Sequence, residues 1–130
     1  MRVFKMRQMM RTIYIVVLMI IISGCSNNEP INIEAKDFQD GVDKLTEIMV
    51  HDIFSPPVAS RIYAYPNIAA YEILAVNSGD FLSLNGQIDG LPAIAPATNE
   101  DVNIELAALI AYMDVGRTLI FSEDKMTSYR

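Results

Sequence analysis

Tryptophan is absent from this chain, and histidine and cysteine occur once each. A lone cysteine excludes an intrachain disulfide. A lone histidine, His51, leaves no set of imidazoles to hold a metal ion. Nor is there a glycine-rich phosphate loop, a nucleophile elbow or a cysteine–histidine arrangement. The longest apolar run, Ile13 to Ile22, is ten residues. That is half of the roughly 20 that a permanent spanning helix needs. Basic charge is scarce as well, with ten Lys and Arg against sixteen Asp and Glu. Four of the ten are Arg2, Lys5, Arg7 and Arg11, so the rest of the chain carries six against sixteen, a net charge of −10. Such a surface excludes nucleic acid as a partner and disfavours adhesion to anionic lipid.

What is present begins with an export signature. The four basic residues precede "IYIVVLMIII" and then Ser23, Gly24 and Cys25. This order of charged, apolar and small residues predicts a signal peptide over 1–24. Ile22-Ser23-Gly24-Cys25 resembles the lipobox of bacterial lipoproteins, which implies that Cys25 becomes the acylated first residue of the mature chain. Several acyl chains, at about 0.8 kcal/mol per buried methylene, would hold the protein firmly to a bilayer. The expected location is therefore the bacterial cell envelope, with the mature part outside the cytoplasm. Ser26 and Asn27 carry no clear retention signal, and the outer membrane is favoured over the inner. Residues 25–37, polar and patternless around Pro30, are expected to form a tether.

From there the pattern is helical, and the expected domain, 38–130, is all-α. Val42, Leu45, Met49 and Ile53 recur at three and four residues, predicting a first helix at about 38–54. Ser55 before Pro56 has the form of an N-cap followed by proline at the first helical position, which starts a second helix over 55–76. Its expected stripe is Val58, Ile62, Tyr65, Ala69, Ile73 and Val76, with alanines allowing close approach of another helix. Pro66 predicts a kink or break, and the tyrosines are expected to bury their rings and hold polar partners with their hydroxyls. Asn77 to Ala97, rich in glycine and proline, is a long connecting loop. Thr98 to Asp101 has the form of a capping box for a third helix over 98–120, weakened but not forbidden by Gly116. Ser122, Glu123 and Asp124 start a fourth helix that has hardly begun when the chain stops, the pattern expected of an interrupted bundle.

Few side chains point to chemistry. Glu47 and His51 share a helix face with Asp52 adjoining, a fragment of a metal or acid–base site or, more simply, a hydrogen-bonded structural group. Arg61 is placed to pair with Glu72 or with a carboxylate on a neighbouring helix. Met49 and Met113 read as core fillers.

A longer match adds to this. "LTEIMVHDIFSPPVASRIYAYPNIAAYEIL", Leu45 to Leu74, resembles the N-terminal helical region of bacterial vanadium-dependent haloperoxidase-like lipoproteins of the type 2 phosphatidic acid phosphatase superfamily. The segment Pro-x-Val-Ala-x-Arg is Pro56 to Arg61, and Ala-x-Tyr-(Asp or Glu) is Ala69 to Glu72; "VGRTLIFSEDKM", Val115 to Met126, is similar to the same group. The resemblance implies an all-α bundle that binds vanadate or phosphate through a lysine and arginine motif, a Pro-Ser-Gly-His segment and an arginine–histidine motif. None of these stands in this chain, so no catalytic, cofactor-binding or metal-binding residue carries over. The expected role is an inactive N-terminal scaffold of a phosphatase or haloperoxidase, with vanadate possible in the parent and the missing C-terminal helices as its partners. The alternative is a small helical lipoprotein that acts as an interaction module in the envelope.

Overall fold

A computed structural model describes residues 31–99 and 101–129, with Arg7 and Tyr14 besides. Its contacts divide the chain into Met1–Pro30 and Ile31–Arg130, and the fold below is that of the second unit. The predicted signal peptide and Cys25 lie outside the described residues. Among those residues the architecture is all-α: α1 (Ala35–His51), α2 (Pro56–Asn77), α3 (Ile104–Thr118) and a single-turn α4 (Glu123–Thr127). None of the helices among them is long and apolar enough to cross a membrane.

Helix α1 starts and ends three residues earlier than its spacing predicts. Its start is fixed by Asp37, whose carboxylate accepts the Glu34 N–H at 2.8 Å. Glutamate is a poor N-cap in sequence terms, so this start was hidden. The end is a Schellman turn, in which Phe54 N–H donates to Met49 O and Ile53 N–H to Val50 O, both at 3.2 Å. The turn throws Ile53 to φ 57 and leaves it 87% exposed, so the expected fourth member of the α1 stripe is outside the helix and outside the core. Leu45, Ile48 and Met49 make the buried stripe instead.

Helix α2 begins as expected, with Ser55 as N-cap and prolines in the first turn. It runs unbroken through Pro66, which is buried. The missing proline N–H leaves the Ile62 carbonyl without its helical donor, but packing holds the turns on either side. The buried stripe is Ile62, Pro66 and Ala70, flanked by half-buried Ala59 and Ile73. Val58 and Tyr65, expected on it, are 41% and 49% exposed. They lie on another side of the helix, because the packed row is shifted round by one residue at its N-terminal end.

Helix α3 starts at Ile104, six residues beyond its expected start. Asn103 is the cap, its Oδ1 accepting Leu106 N–H at 2.8 Å. The Thr98–Asp101 box does not form: Asn99 Oδ1 takes the Asp101 N–H at 3.0 Å and turns the backbone locally. At its other end the helix stops at Thr118, although Ile120 beyond it is still buried. Gly116 is where the helices meet. A methyl group there would stand 3.2 and 3.3 Å from the Cδ atoms of Leu45 on α1 and 3.7 Å from the Pro66 ring on α2. The glycine therefore allows the close approach that its low helix propensity costs.

The core joins Leu45, Ile48 and Met49 to Ile62, Ala70, Ala108, Tyr112, Met113, Ile120 and Met126. Both predicted core methionines, Met49 and Met113, are in it. Phe38 stands edge-on to Tyr112 with ring centroids 4.9 Å apart.

Candidate functional site

His51, the last residue of α1, is 57% exposed at its side chain, and its Nδ1 lies 3.0 Å from Asp52 Oδ1. Glu47, one turn earlier, is spent on Lys44 at 3.0 Å. The structure thus does not gather Glu47, His51 and Asp52 into one site. Asp52 alone is buried, its side chain 3% exposed. It caps the far segment: Oδ2 accepts Phe121 N–H at 2.9 Å and Ser122 N–H at 3.0 Å, and Oδ1 accepts the Ser122 hydroxyl at 2.6 Å. The Ser122 hydroxyl, then His51 and the two backbone donors, hold the Asp52 carboxyl well below the usual carboxylate range against the opposing effect of burial. This group is a fastener between the end of α1 and the start of α4. Ser122 is the N-cap as predicted, but its hydroxyl serves Asp52 and does not cap α4.

Glu72, fully buried, fastens a second joint. Its Oε2 accepts the Ser83 hydroxyl at 2.7 Å and its Oε1 the Leu84 N–H at 2.6 Å. Tyr71 donates to Leu82 O at 2.8 Å, and Asn77 Oδ1 accepts Ala97 N–H at 2.7 Å. Gly86 and Gly90, both at φ 78, turn the loop so that it folds back along the C-terminal half of α2. The long loop is therefore stitched to its helix. Arg61 does not pair with Glu72, whose oxygens the loop has taken, and it is exposed. Of the α2 tyrosines, Tyr63 bonds Thr46 Oγ1 at 2.9 Å. Thr46 donates its own proton to Val42 O, so the tyrosine is the donor.

Two cavities accompany these joints. One of about 320 Å³ lies between α2 and the loop, lined by Tyr65, Ile68, Ala69 and Glu72 on one side and Ile88 to Leu91 and Ile94 on the other. Another of about 400 Å³ lies over the start of α1, lined by Ile33, Ala35, Phe38, Leu74 and Ala108, with Glu34, Gln39 and Glu105 completing its wall. Neither brings a nucleophile to a base. Tyr112 is fully buried with no hydrogen-bond partner for its hydroxyl among the described residues, and burial, aided by Tyr63, pushes its phenol up to about 12.

Vanadate or phosphate needs convergent cationic or imidazole donors. Among the described residues Lys36 is held by Asp40, Lys44 by Glu47 and Arg117 by Glu123, each on the surface. No group of three or more His, Cys, Asp or Glu among them could hold a metal ion. The residues described do not fit an oxyanion or metal cofactor.

No family model and no curated protein matches this chain. A solved structure does: the chain is similar to a bacterial vanadium-dependent iodoperoxidase, at 56% sequence identity and a TM-score of 0.75. The similarity covers 78% of this chain and 25% of that one. The two segments are homologous and share one helical arrangement, and this chain spans about a quarter of the length of that relative.

Proposed function

We propose that this chain is the N-terminal scaffold of a lipid-anchored, vanadium haloperoxidase-like enzyme of the type 2 phosphatidic acid phosphatase superfamily, and that the residues binding vanadate or phosphate follow Arg130. The observation that carries this reading is the 56% identity to a quarter of a bacterial vanadium-dependent iodoperoxidase. The chemistry of the described side chains agrees with it: buried Asp52 and Glu72 are both occupied in holding loops to helices. The scaffold's part in catalysis would be to fix the helices on which the oxyanion site is assembled, since rigid elements position reacting groups better than loops do. The relative's own activity favours halide oxidation over phosphate-ester hydrolysis in the parent.

Cys25 would carry the lipid and hold the enzyme at the bacterial envelope, at the outer membrane in preference to the inner. Mass spectrometry of the membrane fraction is expected to show a diacylglyceryl adduct that is lost in Cys25→Ser. For the enzyme itself, the protein from the complete reading frame should oxidise iodide or bromide with peroxide in a vanadate-dependent way, while the 130-residue chain should not. Vanadate-free phosphatase activity in the long form would move the parent to the phosphatases. Neither activity in the long form would leave a helical interaction module as the better reading.

A further inference from the structure

Helix α2 carries apolar residues on more sides than this chain covers. Val58, Arg61, Tyr65, Ile68 and Glu72 follow one another at spacings of three and four, forming a row separate from the buried Ile62, Pro66 and Ala70. The C-terminal half of that row is covered by the loop, which holds Glu72 and lines the cavity of about 320 Å³ together with Tyr65 and Ile68. Its N-terminal half is open: Val58 is 41% exposed and Tyr65 49%. Arg61, between them, is exposed and has no ion pair among the described residues. An apolar row left open beside a packed one offers a helix a second surface to pack on. Three quarters of the related iodoperoxidase lies outside the region matched by this chain, a length sufficient for such a covering element.

We propose that the Val58–Arg61–Tyr65 face of α2 docks a helix from the later part of the parent polypeptide, and that this helix presents a carboxylate to Arg61, a proposal that presupposes the scaffold role. The apolar side chains on either side of Arg61 exclude water from the pair, and a guanidinium in that setting needs an acidic partner. The loop then continues the same interface, so that the incoming helix and residues 88–94 lie end to end along α2.

The test uses thiol labelling in a Cys25→Ser background, which carries no lipid, comparing the 130-residue chain with the protein from the complete reading frame under the same conditions. Tyr65→Cys is expected to react about 100-fold more slowly in the long form, because a covered thiol waits for local opening. Asp43→Cys, on the exposed side of α1, should react equally in both. In parallel, Arg61→Glu should lower the melting midpoint of the long form by at least about 2 °C and leave that of the 130-residue chain unchanged. Equal labelling of Tyr65→Cys in the two forms overturns the docking face and leaves the scaffold role standing. A frame that stops after Arg130 overturns both. Protection of Tyr65→Cys in the 130-residue chain that grows with its concentration would assign the face to a second copy and overturn the proposal. An equal shift for Arg61→Glu in both forms would remove the carboxylate partner.

Discussion

Helices α1 and α2 differ in how completely this chain uses them. In α1 the apolar residues Leu45, Ile48 and Met49 are buried, and charged Asp43 and Glu47 face water. Its one large exposed apolar side chain is Val50, at 74%, in the last turn. In α2 the row Ile62, Pro66 and Ala70 is buried, but Val58, Tyr65 and Ala64 on other sides are exposed. The contrast teaches that an apolar pattern alone does not say which side of a helix is packed, since both rows of α2 keep helical spacing and only one is buried. On α1 the exposed apolar surface is confined to the last turn, and on α2 it runs along the N-terminal half.

The largest effect that would sharpen the contrast is Leu45→Ala. Leu45 is fully buried over Gly116, so the substitution should cost about 2–5 kcal/mol in urea unfolding. Tyr65→Ala on the open row should stay within about 0.5 kcal/mol in the same chain. Equal losses at the two positions would break the comparison. Next comes Gly116→Val, which places methyl groups against Leu45 and Pro66 and should destabilise by about 1–3 kcal/mol in the same assay.

A smaller change is expected at the joint between α1 and α4. The Asp52 carboxyl is depressed in the folded state, so its contribution is complete above its ordinary value of 3.8 and is lost as pH falls from there toward the folded value. Amide exchange in 121–127 should therefore speed up relative to α2 as pH is lowered below about 4, after correction for intrinsic rates. Asp52→Ala should produce about tenfold faster exchange at neutral pH and remove that acid dependence. An unchanged acid dependence in the variant would remove Asp52 as its source. The smallest effect is at Ile53, a β-branched residue at φ 57. Ile53→Gly should stabilise by about 1 kcal/mol, since glycine takes the left-handed conformation without a Cβ clash. A loss on thermal melting would show that the exposed isoleucine makes a contact of its own.

The helices were legible in the sequence because their apolar spacing is strong and because Ser55-Pro56 states a start plainly. Their ends were not. Glu34 is an unusual cap, Asn103 competes with Thr98 and Asn99 for the start of α3, and nothing in Ile53 announces a left-handed turn. The expected α2 stripe lies one residue off the packed one, because Val58 and Tyr65 keep the same period as Ile62 and Ala69 and apolar residues stand on both rows. The roles of Asp52 and Glu72 were hidden for a different reason. Their partners, Phe121 and Ser122 in one case and Ser83 and Leu84 in the other, are brought to them only by the turns of the fold.

The proposed role of α2 and α3 as scaffold for helices encoded further along is tested most directly by sequencing the source DNA across codon 130. The scaffold role predicts an open frame of some hundreds of codons containing a Pro-Ser-Gly-His segment and a later arginine–histidine motif. A stop at codon 131 would contradict it and leave a small helical protein whose open α2 face belongs to some other partner.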